Sequence, residues 1–219
     1  MKKTVVKKTR ATSTSKSGRG STKGSIFERE ICKKLSLWWT QNLKAPRDDV
    51  FWRIGGSGGR AKSRGRRGQG TYGQSGDICA TDPIGDPLTK LITFELKKGY
   101  NRFTVGDLLD KSADYASQKY EDWITQAQES HFQSGAFSWM IIHKRDRREA
   151  LAIMPYFLWY ELLPHASSHC STINFKFQGI SCHIAIVTLE DFLKRITPNH
   201  IIEVLKEHNE SGSENDKED

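Results

Sequence analysis

The chain has 219 residues and a formal net charge of +8 at pH 7, a length that accommodates one compact domain with a sizeable core. This basic balance favours a polyanionic partner over a small neutral substrate. No run is apolar and long enough for a membrane span, and the N-terminus lacks the apolar segment of a secretory signal, so the expected location is cytoplasmic, with no membrane partner.

Both ends of the chain are strongly charged. Residues 1–23 carry eight Lys or Arg and no acid, and residues 207–219 carry six acids against one Lys. Such segments cannot bury enough apolar surface to fold, which predicts a disordered basic tail and a disordered acidic tail. The basic tail either keeps the protein in solution or adds phosphate contacts. The folded domain is predicted to span residues 24–206.

A helix is predicted from Ser25 to about Leu43, because apolar residues recur there at three- and four-residue spacing. Ser25 and Glu28 have the spacing of a capping box, which would give Glu28 a structural role. Glu28 is also a candidate functional acid, and Glu30 is an alternative to it.

A short strand at residues 50–54 precedes a cationic loop. Residues 55–76 contain nine glycines, five basic residues and no acid. This composition predicts a mobile loop that either grips phosphates or serves as a plain linker. A GxGxxG pattern at residues 68–73 lacks the strand before it and the helix after it that dinucleotide binding requires. The basic residues of the loop are Arg60, Lys62, Arg64, Arg66 and Arg67.

Residues 76–97 read as a β-hairpin with its turn at residues 82–87. That register puts Asp77 opposite Glu95. Strand alternation puts Glu95 and Lys97 on one face, with Ile92, Phe94 and Leu96 on the other. The expected product is a cluster of two carboxylates and an ammonium group above an apolar face.

Downstream, periodicity predicts two strands, a hairpin and four helices, which completes an α/β domain with a central mixed sheet flanked by helices. The predicted elements are a helix over 104–132 ended by Gly135, strands at 137–143 and 151–154, a helix over 155–163, a hairpin over 173–187, a helix capped by Thr188 through Arg195, and a helix over 198–207.

The four cysteines have no paired spacing and sit in apolar runs, which predicts reduced, buried thiols and disfavours zinc. They are Cys32, Cys79, Cys170 and Cys182.

The acidic cluster has a chemistry that phosphodiester hydrolysis can use. Carboxylates hold hard divalent cations, which neutralise transition-state charge and lower the pKa of bound water. Lys97 beside Asp77 and Glu95 is expected to orient the attacking water or stabilise developing charge rather than act as a base. Glu28 is a candidate third carboxylate.

Four motifs follow one another with fitting spacing, and together they resemble the PD-(D/E)XK nucleases, most of all the archaeal-type Holliday-junction resolvases and related phage endonucleases. The resemblance covers roughly residues 24–154 and implies a restriction-endonuclease-like core. The motifs are Gly24-Ser25-Ile26-Phe27-Glu28-Arg29, Arg53 with Gly56-Ser57-Gly58, Gly76-Asp77-Ile78, and Phe94-Glu95-Leu96-Lys97.

Carried over by position, the resemblance implies that Glu28, Asp77 and Glu95 bind divalent metal and that Lys97 serves the attacking water. Gln126 resembles a glutamine that helps line the site, which adds it to the predicted catalytic set. Ser57 matches a loop serine near the scissile phosphate. The predicted DNA-binding residues are Arg53, Ser57, Arg60, Lys62, Arg64, Arg66 and Arg67.

The resemblance implies an endonuclease that uses Mg²⁺, or Mn²⁺ as an alternative, on branched DNA such as Holliday junctions, in a bacterial, archaeal or phage-infected cell. Cutting a four-way junction symmetrically needs two active sites, which predicts a homodimer. A repair- or restriction-type nuclease on linear DNA and a non-catalytic nucleic-acid-binding protein remain alternatives. The sequence departs from the family pattern in three places. Gly76 stands before Asp77 where the family usually has Pro, and the loop between Ser57 and Asp77 is longer and more basic than in the compact resolvases. The segment after Met154 has no counterpart in the resemblance.

Overall fold

A mixed β-sheet between two layers of helices forms the part of the chain that the computed structural model describes. That part comprises residues 18–54, 76–110, 118–163, 170–177 and 179–215. Within it, the five-stranded sheet has the order β3-β4-β5-β7-β6, with β3 and β4 parallel and the other neighbours antiparallel. The predicted α/β class with a mixed sheet is confirmed.

The helices are α1 (Gly18–Trp39), α2 (Asp86–Leu91), α3 (Lys119–Ser134), α4 (Tyr156–Leu162), α5 (Leu189–Arg195) and α6 (Pro198–Asn215). The strands are β1 (Phe51–Arg53), β2 (Ile78–Ala80), β3 (Ile92–Lys98), β4 (Ser138–Lys144), β5 (Ala150–Pro155), β6 (Ser171–Phe177) and β7 (Ile180–Thr188). Short 3₁₀ turns lie at Pro83–Gly85 and Val105–Leu108.

The two faces of the sheet bury separate cores. The larger core lies under α1, α2, α4, α5 and α6 and includes Phe94 and Leu96 of β3. The smaller core lies under α3 and includes Trp123 and Ile141. Since alternate strand residues point to opposite faces, Glu95 and Lys97 turn toward α3. The predicted division of β3 into an apolar and a polar face is therefore correct.

The first and last helices extend beyond their predicted limits. Helix α1 begins at Gly18, so Ser25 lies inside it and is not its N-cap. The capping-box role considered for Glu28 is therefore wrong, and its side chain has a different partner. Helix α6 continues to Asn215, through much of the predicted acidic tail. The domain limits at residues 24 and 206 remain predictions.

The predicted hairpin over residues 76–97 is wrong in its pairing. Strand β2 pairs antiparallel with β1, and the segment that was expected to turn forms a 3₁₀ turn followed by α2. Asp82 accepts a hydrogen bond from the Ile84 amide, and Pro83 and Pro87 lie at helix starts, where a missing N–H costs nothing. Burial of Leu88 and Leu91, three residues apart, makes this segment helical.

The predicted helix over residues 104–132 is shorter in the structure. Thr104 and Asp107 form a capping box that starts the 3₁₀ turn at Val105–Leu108, while α3 begins only at Lys119. Gly135 ends α3 in a left-handed conformation, as predicted. The C-terminal hairpin β6–β7 and the Thr188 cap, whose hydroxyl accepts from the Asp191 amide, are confirmed.

No helix in the described ranges is long and apolar enough to cross a membrane. The cysteines are free thiols, as predicted, but only Cys32 is buried and the other three are partly exposed. Burial and nearby charges raise the pKa of Cys32 to about 12, which keeps its thiol protonated and unreactive.

Candidate active site

Glu95 lies at the centre of a polar network between β3 and α3. Its side chain is almost completely buried, and Lys97 Nζ lies 3.0 Å from Oε2. Gln126 Nε2 donates to the same oxygen at 2.7 Å, and Ser130 Oγ donates to Oε1 at 2.8 Å. Gln126 Oε1 accepts from Lys97 Nζ at 2.9 Å. Both oxygens of Glu95 are thus oriented, and Lys97 is held between two acceptors.

The spacing of residues explains how this network forms. Glu95 and Lys97 are two apart on a strand and share a face. Gln126 and Ser130 are four apart on α3 and share a face of the helix. Because Tyr120, Trp123, Ile124 and Ala127 are buried against the sheet, α3 is fixed in rotation and aims its polar pair at β3. The predicted association of Glu95, Lys97 and Gln126 is present.

Asp77 reaches this site from the loop that enters β2. Its amide N–H donates to the Phe94 carbonyl at 2.8 Å, and its Oδ2 accepts from the Leu96 amide at 2.7 Å. Asp77 is therefore attached to β3 on either side of Glu95. The predicted proximity of Asp77 and Glu95 holds, although it arises from these contacts and not from a hairpin.

The ionised form of Asp77 is unfavourable in this position. Burial, followed by the charge of Glu95, raises its pKa to about 7, against the lowering effects of the Leu96 amide and Lys97. Glu28 adds a smaller contribution in the same upward direction. A carboxyl group with this pKa is balanced between its two protonation states near neutral pH.

Gly76 allows Asp77 to approach β3 so closely. It has a φ of +81°, and a Cβ atom there would lie 2.7 Å from the Phe94 carbonyl oxygen and 2.8 Å from Thr93 Cγ2. Proline fixes φ near −65°, so it could not adopt this conformation. Gly at this position, where the resemblance leads us to expect Pro, thus has a local physical reason in this chain.

Glu28 is held by an arginine. Arg53 Nε lies 2.6 Å from Glu28 Oε2, and both side chains are mostly buried. Helix α1 supplies the acid and β1 the base, and the pair lies near enough to Asp77 for the charge of Glu28 to affect it. Arg53, a predicted DNA-binding residue, therefore forms an ion pair with Glu28 in the described conformation.

Carboxylate oxygens are the ligands that Mg²⁺ and Mn²⁺ prefer. In the described segments, no three His, Cys, Asp or Glu side chains are close enough to hold a metal ion, so the predicted set of Glu28, Asp77 and Glu95 is not assembled as a ligand cluster. The pair of Asp77 and Glu95 still fits a cation in its chemistry, because the charge of Glu95 helps to raise the pKa of Asp77 and a cation between the two carboxylates would offset this.

The loop candidates Ser57, Arg60, Lys62, Arg64, Arg66 and Arg67 lie outside the described residues. Ser130 is the site residue that sequence reasoning missed. It stands one helical turn after Gln126, so helical periodicity applied to that glutamine could have pointed to it.

The domain has a mixed sheet between helices, and Asp77, at the start of β2, lies beside the E-x-K pair of Glu95 and Lys97. This is the fold and motif of the PD-(D/E)XK nucleases. A protein-family profile described as "Phage putative PDDEXK endonuclease" matches residues 19–203. The chain belongs to this family. No curated protein and no solved structure matches the chain.

Proposed function

We propose that this protein is a divalent-metal-dependent endodeoxyribonuclease that hydrolyses phosphodiester bonds in branched DNA. The observation that carries the proposal is the pairing of Asp77 with the Glu95–Lys97–Gln126 network in a chain of an endonuclease family. The pKa of Asp77 is raised to about 7 beside the buried Glu95, so the ionised form of Asp77 destabilises the fold at neutral pH. A purely structural cluster gains nothing from such a carboxyl group. This arrangement is suited to binding a cation.

In the proposed site, Asp77 and Glu95 hold Mg²⁺ or Mn²⁺, which when bound supplies charge neutralisation and a water of lowered pKa. Lys97, fixed by Glu95 and Gln126, orients the attacking water or stabilises charge on the phosphate. Ser130 keeps the carboxylate of Glu95 from rotating. Glu28 is a third ligand candidate if substrate phosphate draws Arg53 away from it.

Branched DNA is the finer part of the proposal, and it rests on the resemblance to junction resolvases and on the basic charge of the chain. The cationic residues of the 55–76 loop precede Asp77 directly, so in the proposal they contact phosphates near the cut. A homodimer would supply the two active sites that symmetric cutting of a four-way junction requires. The expected role of the proposed nuclease is in DNA recombination or repair.

The test is cleavage of end-labelled four-way junction, linear duplex and single-stranded DNA, in Mg²⁺ and in EDTA. Wild type is compared with Asp77→Asn and with Asp82→Asn. Asp82 is a matched control, because it caps the 3₁₀ turn and pairs with Arg47 away from Glu95. We expect paired nicks near the junction in Mg²⁺, lost in EDTA and in Asp77→Asn but retained in Asp82→Asn.

Other outcomes separate the alternatives. Metal-dependent cutting of linear duplex at the same rate would retain the nuclease and reject the preference for junctions. Tight DNA binding without cutting in Mg²⁺ or Mn²⁺ would reject the enzyme and leave a nucleic-acid-binding protein. Equal loss of cutting in Asp82→Asn would mean that Asp77 has no special role.

A further inference from the structure

A surface cleft of about 680 Å³ opens directly after β3, lined by Tyr100, Asn101, Arg102, Phe103 and Lys119. Tyr100 follows Lys97 by only three residues, so the cleft begins where the candidate active site ends. Its lining combines two aromatic rings with two cationic groups, and no carboxylate lines it among the described residues.

The aromatic and cationic groups of the cleft are arranged for stacking. The Tyr100 side chain remains substantially exposed. The Arg102 guanidinium lies over the Phe103 ring, 4.8 Å from its centroid. An exposed ring beside an arginine suits the flat face of a base, and a cation nearby suits its phosphate. Within a duplex the bases are stacked on one another, so only its terminal pairs offer a base face to such a cleft.

The cleft is held in shape by the residues beneath it. Tyr100 has a φ of +54°, unusual for a residue with a side chain, and its ring packs edge-on against Trp123 at 5.1 Å. The carbonyl of the preceding Gly99 accepts from His143 Nε2 at 3.0 Å, and Tyr120 OH bonds the other ring nitrogen at 2.7 Å. These buried contacts fix the position of Tyr100.

Two acids that contact residues of the cleft lining are engaged by neighbours. Asp146 accepts from Asn101 Nδ2 at 2.9 Å and lies 3.7 Å from Lys98 Nζ. Asp122 lies 3.3 Å from Lys119 Nζ on the same helix. The first pairing ties the cleft loop to the turn between β4 and β5, and both reduce the repulsion that a phosphate would meet.

Helix α3 connects the cleft to the candidate active site. Lys119, Trp123 and Gln126 follow one another at spacings of four and three residues, so they share one face of the helix. Lys119 lines the cleft, Trp123 supports Tyr100, and Gln126 binds Glu95. At 1.5 Å per residue, Lys119 and Gln126 are about 10 Å apart along the axis. A DNA strand running along α3 would meet both sites.

We propose that this cleft binds an unpaired nucleotide of the DNA strand that the candidate active site cuts. That this nucleotide lies next to the cut rests on the proposed function. That the cleft binds an unpaired nucleotide does not depend on cleavage. The cleft would thereby select DNA with unstacked bases, as found at branch points, flaps and gaps, over continuous duplex. Stacking supplies the affinity without base preference, since every base has a flat face.

The test is DNA binding in EDTA at one fixed salt concentration, so that neither metal nor cutting contributes. Fluorescent blunt duplex is compared with the same duplex carrying an unpaired tail. We expect wild type to bind the tailed DNA more tightly. Arg102→Gln and Phe103→Leu should each reduce this preference by about five-fold or more. Arg195→Gln is the matched control, because Arg195 is exposed on α5 under the opposite face of the sheet.

A second measurement does not depend on variants. Photocrosslinking wild type to 5-iodouracil in the unpaired tail should attach the tail to the peptide that carries Tyr100 or Phe103, as mapped by mass spectrometry. Crosslinks elsewhere only, or no preference for the tailed DNA, would overturn the proposal. Equal losses in Arg102→Gln and Arg195→Gln would also do so. A preserved preference without any cleavage would instead reject the nuclease and leave the cleft in place.

Discussion

Two neighbouring carboxylates of the candidate active site, Glu95 and Asp77, differ in their surroundings. Glu95 receives an ammonium, an amide and a hydroxyl, all from side chains of β3 and α3. Asp77 accepts a backbone N–H from Leu96, and burial beside Glu95 raises its pKa to about 7. Their difference shows that side-chain partners stabilise a buried charge, whereas burial next to a like charge makes a carboxylate ready to accept a proton or a cation.

The largest expected effect comes from removing the cation beside Glu95. Lys97→Met leaves a buried carboxylate without its ion-pair partner, which should lower the free energy of unfolding by about 3–5 kcal/mol. Urea unfolding in EDTA measures this. The double variant Lys97→Met/Glu95→Gln should recover much of the loss, because no buried charge then remains. A double variant as unstable as Lys97→Met would contradict the pairing.

Removing the charge of Asp77 should raise the free energy of unfolding, whereas removing the charge of Lys97 should lower it. The folded-state pKa of about 7 lies above the ordinary aspartate pKa of 3.8, so the folded protein retains a proton that the unfolded chain releases between these pH values. The free energy of unfolding therefore falls as pH rises from about 4 to about 7 and then levels. Asp77→Asn should be more stable than wild type by about 2–4 kcal/mol at pH 8 and nearly equal to it at pH 4.

Asp82→Asn provides a contrasting control for that measurement. The Ile84 amide and then Arg47 lower the pKa of Asp82, so its charge stabilises the fold above the unfolded-state pKa. Its replacement should be destabilising at neutral pH and neutral in acid. Chemical unfolding in EDTA at several pH values tests both variants, and a stability gain for Asp77→Asn that is the same at pH 4 and pH 8 would reject the raised pKa.

Gly76→Ala tests the close approach that brings Asp77 to β3. The new Cβ would lie 2.7 Å from the Phe94 carbonyl oxygen, which is also the acceptor for the Asp77 amide. We expect a loss of about 2 kcal/mol or more in unfolding free energy, from backbone strain and contact together. Gly135→Ala is the control, because Gly135 has a φ of +69° in open space and should lose only about 1 kcal/mol. Equal losses would show that the contact is easily relieved.

Ser130→Ala should have the smallest effect of the series. It removes the hydroxyl that donates to Glu95 Oε1 while leaving Lys97 and Gln126 in place, at a cost of about 1–2 kcal/mol. Thr125→Ala is the comparison on the same helix, since its hydroxyl donates to the Glu121 carbonyl and not to a carboxylate. Thermal unfolding that ranks Thr125→Ala as the more damaging change would remove Ser130 from the site.

The short-range part of the candidate site could be predicted, since strand alternation put Glu95 and Lys97 on one face. Asp77 was placed beside them by a hairpin pairing that is wrong, and Gln126 by the resemblance alone. The hairpin prediction failed because a Pro- and Asp-rich segment fits a helix start as well as a turn, and burial of Leu88 and Leu91 decided between them. The length of α1 was missed because Ser25 is an acceptable cap that the structure does not use.

Local patterns in the chain were sufficient for the fold class, the apolar and polar faces of β3, the C-terminal hairpin and the acid–lysine pair, since each depends on periodicity or on neighbours two to four residues apart. Tertiary structure alone decided that Arg53 neutralises Glu28, that Ser130 joins Glu95, and that burial beside Glu95 raises the pKa of Asp77. These properties depend on distances between residues 18 (Asp77 and Glu95) to 35 positions apart in the chain. Only the packing of α1, β2 and α3 around β3 sets those distances.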